Sequence, residues 1–150
     1  MIVKHFQFKN DIFKKNNMFL FYGDNEGLKN ELIEKLKQNE KVLTYDEKEI
    51  LDNENNFFED MLSKSLFEEK KIIIIKRVTD KIVKIIEILK EKEIEDIKFV
   101  INSHNLEKRS KLRNLFEKEK LFICVPFYPD NEQTLIRLAT EFLKKRKITL

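Results

Sequence analysis

Five short apolar stretches recur along the chain, separated by charged and polar segments. Three of them, within KIIIIK, KFVIN and LFICV, are almost unbroken, as expected for strands that are buried on both faces of a parallel sheet. A further run at the start of the chain, MIVKHFQF, predicts a short edge strand. The five predicted sheet strands lie at residues 18–22, 42–45, 72–75, 97–101 and 121–125.

The segments between the apolar runs have helical patterns. A helix is predicted at about residues 54–64, and Asp80 can cap another. Asp130 followed by Gln133 resembles a capping box at the start of a last helix. Strands that alternate with helices predict an α/β fold, with a doubly wound, mostly parallel five-stranded sheet and helices on both faces. The apolar stripes of the helices that follow Asp80 and Asp130 are Ile82, Ile85, Ile86 and Leu89, and Leu135, Leu138, Ala139 and Phe142.

Composition limits the classes of function. The chain has 150 residues, of which 41% are hydrophobic, so it can form a globular core. Its 30 basic and 27 acidic residues are interleaved, and the net charge of +3 does not by itself indicate a nucleic-acid partner. One cysteine and the lack of a signal peptide predict a reducing cytoplasm and no membrane association. No metal site is predicted, because His5, His104 and Cys124 share no metal-ligand spacing.

The stretch LFYGDNEGLKNEL has the outline of a strand, a phosphate-binding turn and a helix. A working phosphate loop is G-x-x-x-x-G-K-[ST], whereas here the motif residues are Gly23, Gly27 and Lys29. The spacing between the glycines is one residue short, a leucine precedes the lysine, and no hydroxyl residue follows it. Asp24 and Glu26 would also repel a polyphosphate. The loop is therefore predicted to be degenerate and not functional.

A second position supports this prediction independently. A nucleotide hydrolase of this architecture has a magnesium-binding acid at the end of an apolar strand. The best such strand here, IIII, ends in Lys76 and Arg77. Both observations argue against catalysis, so neither a catalytic residue nor a cofactor is predicted.

The stretch SKSLFEEKKIIIIK places Ser65, Leu66 and Phe67 between a helix and a buried strand. From the residues alone, we rank first the interpretation that Leu66 and Phe67 fold back onto the core. The functional interpretation is that they are exposed anchors for a pocket on a partner protein.

Four other features have a structural and a functional interpretation. Ser103 follows the fourth strand, where an active ATPase has a nucleotide-sensing polar residue, but a turn residue is the favoured interpretation. Arg109 and Arg113 could act as arginine fingers, although a solvated helix face is favoured. The KKRK run at residues 144–147 could contact DNA phosphates, or it could complement a helix dipole.

The sequence resembles the N-terminal, AAA+-like domain of the delta subunit of bacterial DNA polymerase III, a component of the sliding-clamp loader. The resemblance rests on FLFYGDNEGLKNELIEKL, SLFEEKKIIIIKRV, IKFVINSHNLEKRSKLRNLFEKE and VPFYPDNEQTLIRLATEFLKKRKITL, in the family's order and spacing. It implies an AAA+ or P-loop-like domain with a degenerate nucleotide site, which holds the sliding clamp and favours its opening during DNA replication. The family's clamp-binding Leu-Phe pair falls on Leu66 and Phe67, and Ser65 completes the motif.

The resemblance also implies partners and boundaries. Residues 1–140 would form the clamp-contacting domain, and residues 141–150 would end the last helix and begin a following domain that is absent. The partners would be the sliding clamp (the beta subunit), other loader subunits through the missing C-terminal parts, and DNA within the full complex. The domain would be non-catalytic by itself, although the complex to which it belongs is a DNA-directed DNA polymerase. As a fragment, it would be a monomer. The alternatives are an atypical nucleotide-binding AAA+-type ATPase and an α/β domain that binds the DNA backbone.

Overall fold

The five predicted strands are all present in the computed structural model, which describes residues 1–37, 40–66, 70–94, 96–128 and 140–142. Each strand begins and ends within one residue of the apolar run that predicted it, because the runs are bounded by charged or turn-forming residues. The strands are β1 (Met18–Tyr22), β2 (Lys41–Asp46), β3 (Lys71–Lys76), β4 (Ile97–Asn102) and β5 (Phe122–Pro126).

The connections between strands are mostly helical, and two short 3-10 helices lie at His5–Gln7 and Asp80–Ile82. The predicted stripe from Ile82 to Leu89 is buried. The third predicted helix begins at residue 130, and that start lies outside the described residues. The α-helices are α1 (Asn10–Lys15), α2 (Glu26–Leu36), α3 (Glu47–Asp52), α4 (Glu54–Leu66), α5 (Val83–Glu91) and α6 (Lys111–Lys118).

The strands form one sheet in the order β2-β3-β4-β1-β5, and every neighbouring pair is parallel. The connection from β1 to β2 passes two strands in one direction, while the connections from β2 to β5 all run in the other. This reversal is the mark of a doubly wound α/β fold. The predicted fold class is therefore confirmed.

Two apolar cores cover the two faces of the sheet, because neighbouring side chains along a strand point to opposite faces. Phe19 and Phe21 of β1 pack with Ile33 of α2 and with the segment before β1. Leu20 and Tyr22 face the other side, where α3, α4, α5 and α6 supply the partners. The connections that follow β1 and β4 therefore leave toward opposite faces of the sheet.

The N-terminal segment lies at the β5 edge but does not form the predicted strand. Ile2 makes a single parallel bridge with Cys124, and the Val3 backbone N–H donates to the Cys124 carbonyl at 2.8 Å. The chain then turns into the 3-10 helix at His5–Gln7. The prediction of an edge strand over MIVKHFQF was wrong in extent, because the chain turns after Val3 and Phe8 packs beside Phe13 of α1 instead of continuing the pairing.

Candidate functional site

Ligands of open parallel sheets bind beyond the carboxyl ends of the strands, in the crevice between two strands whose connections leave toward opposite faces. In this chain that crevice lies between β1 and β4. Its walls are the glycine turn at residues 23–25 and the loop that begins at Ser103. The predicted phosphate-loop residues Gly23, Gly27 and Lys29 therefore lie at the position where a ligand would be expected.

The side chain of Lys29 joins the two walls of this crevice. Its Nζ donates to the Ser103 carbonyl at 2.8 Å and to Glu26 Oε1 at 3.0 Å, and only 1% of the residue is exposed. His104 Nδ1 lies 3.5 Å from the same Glu26 oxygen. The ammonium donors that a phosphate-binding lysine would direct at its ligand are thus bonded to the protein's own oxygens.

Gly23 is required for close packing of the chain that leaves β5. Its φ is +120°, and a Cβ at this position would lie 2.1 Å from the Phe127 carbonyl oxygen. The Gly23 N–H donates to the His104 carbonyl at 3.2 Å, and the Asn25 N–H donates to the Phe127 carbonyl at 3.1 Å. These two backbone amides, which a phosphate loop would direct at its ligand, bond to the chain itself.

Gly27 has no comparable constraint. It lies in the first turn of α2, and the nearest atom to an added Cβ is Asn25 Oδ1 at 3.8 Å. The helix start is completed by Asn25, whose Oδ1 accepts from the Leu28 N–H at 3.2 Å. The turn thus keeps a glycine at its first position for packing, and it caps its helix with an asparagine that the sequence analysis did not identify.

The carboxyl end of β3 is held by an ion pair with the neighbouring strand. Arg77, with a φ of +55°, donates through Nε to Asp46 Oδ1 at 2.7 Å and through Nη2 to Asp46 Oδ2. Hydrogen bonding from this guanidinium lowers the pKa of the Asp46 carboxyl. The acid nearest to the end of the IIII strand is therefore already paired with a cation, while Lys76 is exposed to solvent.

Two further carboxylates tie the loops at this edge together. Glu47 is buried and accepts from the Thr79 N–H at 2.9 Å and from the Thr79 hydroxyl at 3.0 Å. Asp80 accepts from the Ser110 hydroxyl at 2.6 Å and from the Leu112 N–H at 3.1 Å. The prediction that Asp80 caps its own helix was wrong, because its carboxylate is directed at the start of α6.

Ser103 and the two arginines differ in their surroundings. Ser103 is buried, and its hydroxyl donates to the Val78 carbonyl at 2.9 Å, as suits a residue that ends a strand. Arg109 is solvated as predicted, with 89% of its side chain exposed, but it lies in the turn before α6 and not on the predicted helix face. The same prediction was wrong for Arg113, whose side chain is only 15% exposed. Its Nε bonds Glu117 at 2.8 Å, its Nη1 bonds the Leu106 carbonyl at 3.0 Å, and its guanidinium lies 5.2 Å from the centre of the Tyr22 ring.

The Ser-Leu-Phe motif begins inside a helix. Helix α4 continues to Leu66, two residues beyond the predicted end, so Ser65 and Leu66 form its last turn. Ser65 is half-buried, while Leu66 is 82% exposed. Phe67 lies outside the described residues. The interpretation that ranked first, in which Leu66 folds back onto the core, was wrong for this side chain.

Over the described ranges, no group of three or more histidine, cysteine, aspartate or glutamate side chains is placed to hold a metal ion. In the same part of the chain, the helices are too short or too polar to cross a membrane. The basic run at residues 144–147 lies outside the described residues, as do Asp130, Gln133 and most of the last predicted apolar stripe.

No model of a known protein family matches the sequence, and no curated protein matches it either.

Proposed function

We propose that this chain is the clamp-contacting domain of a clamp-loader delta subunit, which binds the DNA polymerase III sliding clamp and does not hydrolyse ATP. The observation that carries the proposal is the exposure of Leu66, at 82%, in the motif position where the resembling family has its clamp anchor. A core leucine would be covered. A leucine held in the last turn of a helix and directed at solvent is suited to enter a pocket on another protein.

Such an anchor can supply a substantial share of a binding free energy, because a micromolar complex needs about 8 kcal/mol in total. Burying one large apolar side chain in a partner's pocket contributes roughly 1.5–3 kcal/mol. Because Leu66 lies in the last turn of α4, part of its backbone order is already present before binding.

The nucleotide-binding alternative is less well supported by the same geometry. A phosphate-binding lysine must direct its ammonium group at the phosphates, whereas the Lys29 ammonium group bonds the Ser103 carbonyl and Glu26. Two amides of the glycine turn bond to backbone carbonyls of the chain. Binding a triphosphate here would require these contacts to break first, and their loss would reduce the affinity.

A titration of the full chain with the cognate sliding clamp tests the proposal. We expect binding by the wild-type chain and a loss of roughly a hundredfold or more in affinity for the double variant Leu66→Ala and Phe67→Ala. Urea melts of both proteins serve as the fold control. A double variant that folds normally and binds the clamp at full strength would contradict the proposed site.

A thermal-shift assay with ATP and magnesium separates the two functions. A ligand that binds only the native state must raise the midpoint of thermal unfolding. The proposed function predicts no shift at millimolar ATP. A clear shift that disappears in Lys29→Ala would instead favour the nucleotide-binding alternative.

A further inference from the structure

An apolar ridge leaves the core of the protein along α4 and ends at Leu66. It consists of Phe58, Leu62 and Leu66, which are spaced four residues apart and so lie next to one another along the helix surface. Phe58 packs against the core, Leu62 is 37% exposed and Leu66 is 82% exposed. Each step of four residues turns about 40° around the helix, which carries the ridge from the buried side to the solvent side.

We propose that Leu62 is a second anchor for the partner that contacts Leu66, so that docking takes place along the outer face of α4. This inference rests on the proposed function, and it adds a residue that the Ser-Leu-Phe motif does not contain. Leu62 lies one helical turn before Leu66, so one elongated apolar pocket can cover both side chains.

Charge on this face favours an apolar protein pocket over a polyanion. Lys64, the basic side chain in this part of α4, is largely covered and lies 3.8 Å from Asp60 Oδ2, so its charge is neutralised locally. Ser63 and Ser65 flank the leucines with uncharged groups, while Glu59 and Asp60 on the same helix are exposed carboxylates. A phosphate backbone would meet these negative charges and no unpaired cation among these helix residues, whereas an apolar pocket with a polar rim would meet its complement.

The small size of the ridge argues against a second copy of this chain as the occupant. A stable interface buries about 800 Å² on each partner. Two leucines on one helix supply only a small part of that area, and a symmetric contact would leave the rest to charged neighbours. A concave pocket encloses each side chain from several directions, so it gains more from the same ridge.

The test compares the full wild-type chain with Leu62→Ala, Leu62→Lys and Leu66→Ala in titrations with the cognate sliding clamp. We expect Leu62→Ala to weaken binding about tenfold, because it removes part of one apolar anchor. Leu62→Lys keeps an apolar stem on the helix but directs a charge into the pocket, so we expect a loss of at least about a hundredfold. Leu121→Ala is the matched control, because Leu121 is also a largely exposed leucine. It precedes β5, at the edge of the sheet opposite to β2 and β3, the strands that α4 connects.

Each outcome decides between the inferences. Weaker clamp binding by both Leu62 variants, with urea midpoints near that of the wild type, supports the second anchor. If Leu66→Ala loses binding while both Leu62 variants bind normally, the second anchor is overturned and the proposed function remains. A Leu62→Lys variant that unfolds early would show that Leu62 serves the fold, which also overturns the second anchor. A wild-type chain that does not bind the clamp overturns both the proposed function and the second anchor. A dimer in sedimentation that both Leu62 variants convert to monomer would overturn them as well.

Discussion

The ammonium group of Lys29 lies 2.8 Å from the carbonyl oxygen of Ser103 and so connects the end of β4 to the helix that follows β1. The connections that follow β1 and β4 leave toward opposite faces of the sheet, and the space between them is the usual ligand crevice of an open parallel sheet. Here a side chain of the protein bridges that space. The residue that resembles a catalytic lysine therefore has a structural role, and this role has measurable consequences.

Replacing Lys29 should destabilise the fold. Lys29→Ala removes a buried four-carbon stem and leaves the Ser103 carbonyl without this donor, so we expect a loss of roughly 2–4 kcal/mol in the free energy of unfolding. Lys35→Ala is the control, because Lys35 lies on the same helix with 62% of its side chain exposed, and a change within about 0.5 kcal/mol is expected. Urea melts provide the measurement. Equal stability of the two variants would contradict the internal role of Lys29.

The two glycines of the turn should respond in opposite directions to alanine. Gly23→Ala places a Cβ against the Phe127 carbonyl in a strained backbone conformation, so we expect a loss of roughly 3 kcal/mol or more. Gly27→Ala lies in a helix with open space around it, so a gain of up to about 0.5–1 kcal/mol is expected. A functional phosphate loop would need both glycines for its ligand. Destabilisation by Gly27→Ala as large as that by Gly23→Ala would contradict the packing role assigned to Gly23 alone.

The two arginines near α6 should also differ. Arg113→Ala removes two hydrogen bonds and the contact with the Tyr22 ring, and we expect it to cost roughly 1.5–3 kcal/mol of stability. Arg109→Ala should change the stability by no more than about 0.5 kcal/mol, because Arg109 is solvated and its ion-pair partner Glu107 is also exposed. Thermal melts of both variants test this difference. An Arg113→Ala variant as stable as the wild type would show that the buried contacts make no net contribution to the free energy of unfolding.

Stability at low pH should depend on Asp80. Partial burial raises the pKa of its carboxyl, but the hydrogen bonds from the Ser110 hydroxyl and the Leu112 N–H outweigh this effect and hold the pKa below its usual value. A carboxyl whose pKa is lowered on folding contributes stability above its unfolded pKa of about 3.9, and this contribution is lost as the pH falls further. Because Asp80 is exposed, solvent screening limits the contribution to about 1 kcal/mol or less.

The measurement is the difference in unfolding free energy between the wild type and Asp80→Asn from pH 6 down to pH 2.5. We expect this difference to stay constant above about pH 5 and to shrink at lower pH. Ser110→Ala, which removes one donor to the carboxylate, should flatten the pH dependence in part. A difference that grows as the pH falls would have the wrong sign for this arrangement.

The elements of the fold could be predicted from the sequence because each strand is specified locally. A run of four isoleucines between lysines is typical of a buried strand, and the flanking charges predict where the strand begins and ends. The end of α4 could not be predicted as well, since no glycine or proline follows Leu66 to stop the helix. The two additional helical residues are Ser65 and Leu66, so an error of two residues in the predicted helix end fell on the candidate site.

Contacts between distant residues could not be predicted at all. Asp80 meets Ser110 and Arg113 meets Tyr22 only because β1, β4 and α6 come together in three dimensions. The sequence shows the charge of Lys29 but not its direction, which depends on a carbonyl 74 residues away. The prediction of a degenerate phosphate loop could be argued from spacing, whereas the structural contacts of its residues could not.

The strand order has a consequence for synthesis on the ribosome. Strand β1 is made first among the sheet strands, but its neighbours in the described sheet are β4 and β5, which are made last. The apolar segment MFLFY must therefore wait without a β-partner until β4, which ends at residue 102, has left the ribosome, while β2 and β3 can already pair. Such a delay exposes an aggregation-prone strand, and we expect nascent chains arrested before β4 to bind a holdase chaperone that chains containing both β4 and β5 release.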